Sequence, residues 1–229
     1  QFTSLFMDLI SDRDLPASVG GLPLTIFESV GDEGLAHRYL ALFEARQRIL
    51  AAMAGRHREG LVPLVESLAA DPVPATVPDR IRALKRRQVK NLCLEILATL
   101  DSAGVHNLLL RQFRKSVSAS DRLSAFRLIL ASSFRDREAI FEEFLEGSSK
   151  NLVAWEAFLS TVAGSNAPDL VELVERAETA PAFRIEQAND QRALYVRFAM
   201  NRKVSLQTAD GRALLLSLLE GLARVNDTS

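Results

Sequence analysis

The chain has 229 residues, with 28 Lys+Arg against 29 Asp+Glu, and 48% of its residues are hydrophobic. That balance excludes a chain that is mainly disordered, and 11 glycines with a single cysteine exclude the collagen-like and disulfide-framework classes. A formal net charge of −1 argues against a whole surface devoted to nucleic acid or anionic membrane.

The mean hydropathy of +0.05 is slightly high for a lone soluble domain. It points either to a Leu/Ala-rich helical core or to a face that another body covers. The opening QFTSLFMDLI lacks a basic n-region and a small-residue cleavage site, so it does not read as a signal peptide. No run approaches the ~18 uninterrupted apolar residues of a membrane span. The expectation is a cytoplasmic chain, cut from a longer one at both ends.

The dominant period is helical. Residues 71–78, DPVPATVP, carry three prolines and predict a linker or long loop. Thr76 and Asp79 stand at capping-box spacing around Pro78, ahead of a helix. In that helix Val89, Leu92, Cys93, Ile96, Leu97 and Leu100 form one continuous apolar face, with Cys93 as a small core residue. Shorter helices follow. Val105, Leu108, Leu109 and Phe113 mark one, and Leu123, Phe126, Leu128, Ile129 and Leu130 the next, opened by Ser118 and Asp121 at capping-box spacing. Ile140, Phe141, Phe144 and Leu145 precede Gly147, and Leu152, Val153, Trp155, Phe158, Leu159 and Val162 precede Gly164. Leu170, Val171, Leu173 and Val174 form a further helix, and Leu214, Leu215, Leu218, Leu219, Leu222 and Val225 the last.

No segment alternates as a strand does, so no sheet is predicted. The expected fold is all-α: an irregular, HEAT/armadillo-like α-solenoid of stacked antiparallel helical hairpins, forming a single domain over 1–229. The predicted core includes Val89, Leu92, Ile96, Leu97, Leu123, Phe126, Phe141, Phe144, Phe158, Leu173, Leu215 and Leu219.

Catalytic motifs are missing. The three histidines, His37, His57 and His106, fall in no H-E-x-x-H, and there is no C-x-x-C, P-loop, dinucleotide fingerprint or nucleophile elbow. All three read as exposed or hydrogen-bonded surface histidines. No catalytic residue and no metal ligand is therefore assigned to the chain. The cluster Arg80, Arg82, Lys85, Arg86, Arg87 and Lys90 reads as a solvated face, with a phosphate-binding helix as the competing reading. Glu142, Glu143 and Glu146 read as a solvated acidic patch. Asn189 and Asp190 mark a helix start, which puts Arg192 in the first turn, where the macrodipole disfavours a cation. Such an arginine is either ordinary surface or a positioned group that points into a cavity.

The pattern Phe183, Asn189, Arg192, Leu194, Phe198, Ala199 and Asn201, followed by Asp210-Gly211, resembles the C-terminal helical domain of bacterial-type aminopeptidase N, in the alanyl aminopeptidase family of zinc metallopeptidases. Arg87, Lys90-Asn91, Leu94 and Leu97 resemble the family's R-x-L-[RK]-N-x-x-L-x-x-L helix. Gln112-Phe113 with Asp121, Leu123 and Ala125 resemble its Q-F…D-x-L-x-A pair, and Phe134-Arg135-Asp136 and Leu152-Val153 fit the next hairpin. These matches are collinear. They depart from the family at Gln187-Ala188-Asn189, where Asn-Pro-Asn is usual, and at Trp155, where a Trp is usual near Ala157.

The resemblance implies a non-catalytic domain that caps a catalytic domain of the same polypeptide and shapes a cavity admitting peptide substrates. The parent would remove N-terminal amino acids with a zinc ion held elsewhere by H-E-x-x-H and a further Glu. Arg192 would face the cavity, with Asn189 capping its helix. No nucleic-acid or membrane partner is expected. A free-standing helical-repeat scaffold that binds a protein partner is the alternative.

Overall fold

A computed structural model describes residues 2–12, 14–26, 38–69 and 76–227, and every regular element among them is helical. The chain divides into two compact units, Gln1–Ala125 and Phe126–Ser229.

The first unit holds α1 (Phe2–Ser11), α2 (Leu15–Val19), a 3₁₀ turn at Leu22–Leu24, α3 (Tyr39–Ala69), α4 (Val77–Ala98) and α5 (Ala103–Lys115). Helix α6 (Ala119–Leu130) runs across the boundary between the units. Helix α3 packs along α4, α2 also lies on α4, and α1 touches α2 and α3. Helix α4 begins as its sequence predicts. Thr76 Oγ1 accepts a hydrogen bond from the Asp79 N–H at 3.3 Å and donates to Asp79 Oδ2 at 2.5 Å, while Pro78 occupies the first turn, where no N–H is needed. The hydroxyl holds the Asp79 carboxyl below its ordinary range. Of the predicted 71–78 loop, residues 71–75 lie outside the described residues, and Val77 and Pro78 belong to α4.

Val89, Leu92, Cys93, Ile96 and Leu97 are buried, as their spacing requires. Burial pushes the Cys93 thiol up to about 12. Lys90, expected on a solvated face, is buried instead. Its Nζ meets Asp121 Oδ2 at 2.5 Å, and Asn91 Nδ2 donates to Asp121 Oδ1 at 2.9 Å. Gln112 Nε2 donates both to Asn91 Oδ1 at 2.8 Å and to the Asp121 carbonyl at 3.0 Å. Asp121 therefore does not close a box with Ser118. A buried carboxylate gains more from a buried ammonium and an amide than from a cap facing water. The rest of the basic cluster is mixed: Arg82 pairs with Asp79 at 3.1 Å, Lys85 donates to the Ser18 carbonyl, and Arg87 Nε is buried without a partner.

Two histidines fall among the described residues, and His37 lies outside them. His106 is hydrogen-bonded through Nε2 to Asp101 Oδ1 at 2.7 Å, as expected. His57 corrects the expectation of a satisfied surface histidine. It is half-buried, its Nε2 is enclosed with no hydrogen-bond partner, and its backbone (φ −121°, ψ 15°) kinks α3. Pro63, six residues on, has no N–H for the Glu59 carbonyl and its ring crowds that turn, which accounts for irregular helix in this region.

The second unit holds α7 (Arg137–Ser148), α8 (Leu152–Ala163), α9 (Leu170–Glu178), α10 (Ala188–Gln191), a π-helical turn over Arg192–Val196, α11 (Arg197–Ala199), α12 (Arg202–Ser205) and α13 (Ala209–Asp227). Its core centres on Phe158, whose ring lies 5.5–5.8 Å from those of Phe126, Phe141, Phe144 and Trp155. Such pairs add about 0.5–1.5 kcal/mol each beyond area burial. Phe126, Phe141, Phe158 and Leu173 are buried as predicted, whereas Leu123 and Phe144 are half-buried. On α13 the prediction fails in register: Gly211, Leu214 and Leu218 are buried, Leu215 is half-buried and Leu219 is exposed. Leucines occupy several faces of that helix, so spacing alone does not choose between two stripes. Of the acidic patch, Glu142, Glu143 and Glu146 are exposed, with Glu142 ion-paired to Arg176 and Glu146 to Lys150.

Two outcomes test this description. Lys90→Met should cost about 3–5 kcal/mol in urea denaturation, because it strands the Asp121 carboxylate in the interior. The Cys93 thiol should react with a disulfide reagent only at the rate of unfolding, which a stopped-flow assay across denaturant concentrations would show.

Candidate functional site

The segment around Arg192 is built from α8, α10 and the π turn. Helix α10 begins at Ala188, and Gln187 holds the N-cap position without a side-chain cap bond. Asn189 does not cap this helix, contrary to the sequence expectation. It lies inside the first turn and donates through Nδ2 to Glu156 Oε1 of α8 at 2.8 Å. A carboxylate across the helix pair offers a stronger acceptor than the turn's own amides offer as donors.

The anchoring role falls to Asp190, which is 3% exposed. Its Oδ2 accepts the Arg184 N–H at 2.9 Å and the Trp155 indole N–H at 3.4 Å. One carboxylate thus ties the incoming loop, α8 and α10 together. Gln191 Nε2 adds a bond to the Ile185 carbonyl at 2.6 Å.

Past this anchor the backbone widens into the π turn. Ala193, Leu194 and Tyr195 are buried in succession, which an α-helix facing one neighbour would not arrange. Tyr195 donates its hydroxyl to Glu178 Oε1 at 2.6 Å, and burial followed by that bond raises its pKa. Asn201 Nδ2 donates to the carbonyls of Ala163 and Ser165 at 3.0 and 2.9 Å and so closes the far end of the segment on α8.

Arg192 opens the π turn and is exposed. Its Nη2 reaches Asn189 Oδ1 at 3.5 Å, the outer limit of a hydrogen bond, and no carboxylate among the described residues pairs with it. Asp190, the nearest acid in sequence, is turned inward. The guanidinium is therefore oriented through Asn189 and Glu156 but keeps its fork for another acceptor. Arg197 is a second exposed cation at the end of the π turn, and its guanidinium lies over Gly164. A Cβ at Gly164 would stand 2.5 Å from Arg197 Nε, so only glycine permits that approach. This arrangement suits recognition of a carbonyl or carboxylate and holds no nucleophile or acid–base pair.

Among the described residues, no group of three His, Cys, Asp or Glu side chains could hold a metal ion. The sequence singled out Arg192 and Asn189, and the structure brings them into contact. It missed Asp190 as the anchor, the π turn, and Arg197. The three consecutive positions Ala193, Leu194 and Tyr195 are the available signal, since one of them must fall off a single α-helical stripe.

Asp190→Ala should lower stability by about 1–3 kcal/mol in denaturant titration, because the part-buried Arg184 N–H and the buried Trp155 indole both lose their acceptor. Near-ultraviolet circular dichroism should show the change at the tryptophan.

Comparison with known proteins gives three findings. The family described as a domain of unknown function (DUF3458_C) with ARM repeats matches residues 1–227. Aminopeptidase N of Escherichia coli (strain K12) is 24% identical over 143 residues, covering 62% of this chain and 16% of that protein. The crystal structure of Legionella pneumophila aminopeptidase A in complex with aspartic acid aligns with a TM-score of 0.80 at 18% identity, covering 98% of this chain and 27% of that one. The last likeness is one of fold, and it agrees with the all-α, repeat-like architecture read from the sequence. The chain spans well under a third of either relative.

Proposed function

This chain belongs to the DUF3458_C family of ARM-repeat domains, and from that premise we propose that it is the non-catalytic C-terminal domain of a zinc-dependent aminopeptidase. On this reading it caps the catalytic domain of the same polypeptide and shapes the cavity through which peptides reach it. The parent enzyme removes N-terminal amino acids from peptides in the cytoplasm. The observation that carries the reading is the match over residues 1–227 together with the collinear likeness to an aminopeptidase.

The described residues do not fit a zinc site, since no three His, Cys, Asp or Glu side chains among them could hold a metal ion. On the proposed reading, the metal and its nucleophilic water belong to the catalytic domain. No helix among the described residues is long and apolar enough to cross a membrane.

Two features support a role beside another body. On α1, Phe2, Leu5 and Leu9 form an exposed apolar stripe, while Phe6 and Ile10 face inward. The neighbouring domain is the proposed cover for that stripe. In the second unit, Arg192 offers a planar pair of donors that no carboxylate occupies, suited to a peptide carbonyl or terminal carboxylate.

The test is Arg192→Ala in the full-length enzyme. KM for peptides of several residues should rise about tenfold through loss of one charge-assisted bond, while KM for single-residue chromogenic substrates and the melting temperature stay nearly constant. An equal change for both substrate types, or none for either, overturns the role assigned to Arg192.

A further inference from the structure

Helices α3 and α5 of the first unit border a cavity of about 360 Å³, lined by Val62, Val105 and Leu108 and rimmed by Arg58, Glu66 and Arg111. That is near the lower end of the roughly 300–1,000 Å³ typical of small-ligand sites. None of the residues around Arg192 contributes to it.

Its two ends differ in charge. Glu66 and Arg111 neutralise each other at 3.0 Å. Arg58 has no carboxylate partner among the described residues, so the rim carries one uncompensated cation. A Cβ at Gly104 would lie 3.4 Å from Arg58 Nη2, which places the guanidinium against the cavity wall at the start of α5. Asn107 adds a carboxamide to the lining. From Arg58 to Glu66 the wall follows about 12 Å of α3, enough for a carboxylate and an aliphatic chain of about five carbons, but short for a long acyl chain.

We infer that this cavity binds a small aliphatic monocarboxylate, with the carboxylate on the Arg58 guanidinium and the hydrocarbon against Val62, Val105 and Leu108. Two sources carry that chemistry: the carboxyl end of a peptide finishing in an aliphatic residue, and a free short-chain alkanoic acid. A doubly charged anion is disfavoured because the rim carries a single unpaired cation, and a second carboxylate would meet the Glu66–Arg111 pair, which is already neutral. An aliphatic amine is disfavoured because the unpaired charge is positive.

Calorimetric titration of the full-length protein with N-acetyl-leucine, hexanoate and N-acetyl-leucinamide tests the inference. Both acids should bind saturably and the amide at least tenfold more weakly. Arg58→Gln should weaken both acids about tenfold without moving the melting temperature, and Arg58→Lys should recover part of the loss. Gly104→Leu should fill the cavity and abolish binding while leaving the helix intact. Tighter binding of N-acetyl-leucine identifies the peptide end as the source, and tighter binding of hexanoate the alkanoic acid. Absence of saturation up to about 10 mM, equal affinity for the amide, or unchanged affinity in Arg58→Gln overturns the site. These readouts do not depend on aminopeptidase activity.

Discussion

The buried contact between Lys90 and Asp121 constrains the first unit more than any other polar interaction among the described residues. Taking an ammonium and a carboxylate out of water is costly, and the cost is offset only where geometry and further hydrogen bonds are good. Here Asn91 and Gln112 supply those bonds, and they come from α4 and α5 while Asp121 comes from α6. An apolar core tolerates some sliding of one helix past another. A buried ion pair with directional amides does not, so three helices are fixed in one register. The residues that resembled the family's motifs here, Lys90-Asn91, Gln112 and Asp121, are thus explained by architecture and not by catalysis.

A second carboxylate plays the matching part in the other unit. Asp190 gathers the Arg184 N–H and the Trp155 indole, and in doing so fixes where α10 leaves the preceding loop. The π turn follows at once. Its wider turn, with more residues per revolution, buries three consecutive side chains and leaves Arg192 and Arg197 outside. Neighbouring residues thus point opposite ways: the acid points in and holds the backbone, and the arginine points out. Asn189 bridges the two by linking Arg192 to Glu156 of α8.

The division into two units bears on how the chain can act. Each unit has its own core, one along the α3–α4 pair and the other around Phe158. Each also presents an arginine with no carboxylate partner among the described residues, Arg58 in the first and Arg192 in the second. Neither belongs to a catalytic constellation, and both fit the recognition of acceptor groups on a ligand.

The helical class, the start of α4 at Thr76 and the buried stripe from Val89 to Leu97 are legible in the residues alone. Each of these rests on local spacing, caps or propensity, which a one-dimensional pattern records. The sequence also marked Arg192 and Asn189. Only the tertiary structure decided that Lys90 goes inside, because a lysine among arginines looks solvated until its partner, 31 positions away, is brought beside it. The same holds for Asp190, whose partners on Trp155 and Arg184 lie in other elements, and for the α13 stripe, where leucines on several faces left the buried one undetermined. The cavity between α3 and α5 had no sequence signal at all. Its lining comes from α3 and α5, more than 30 positions apart, and that juxtaposition exists only in the folded chain.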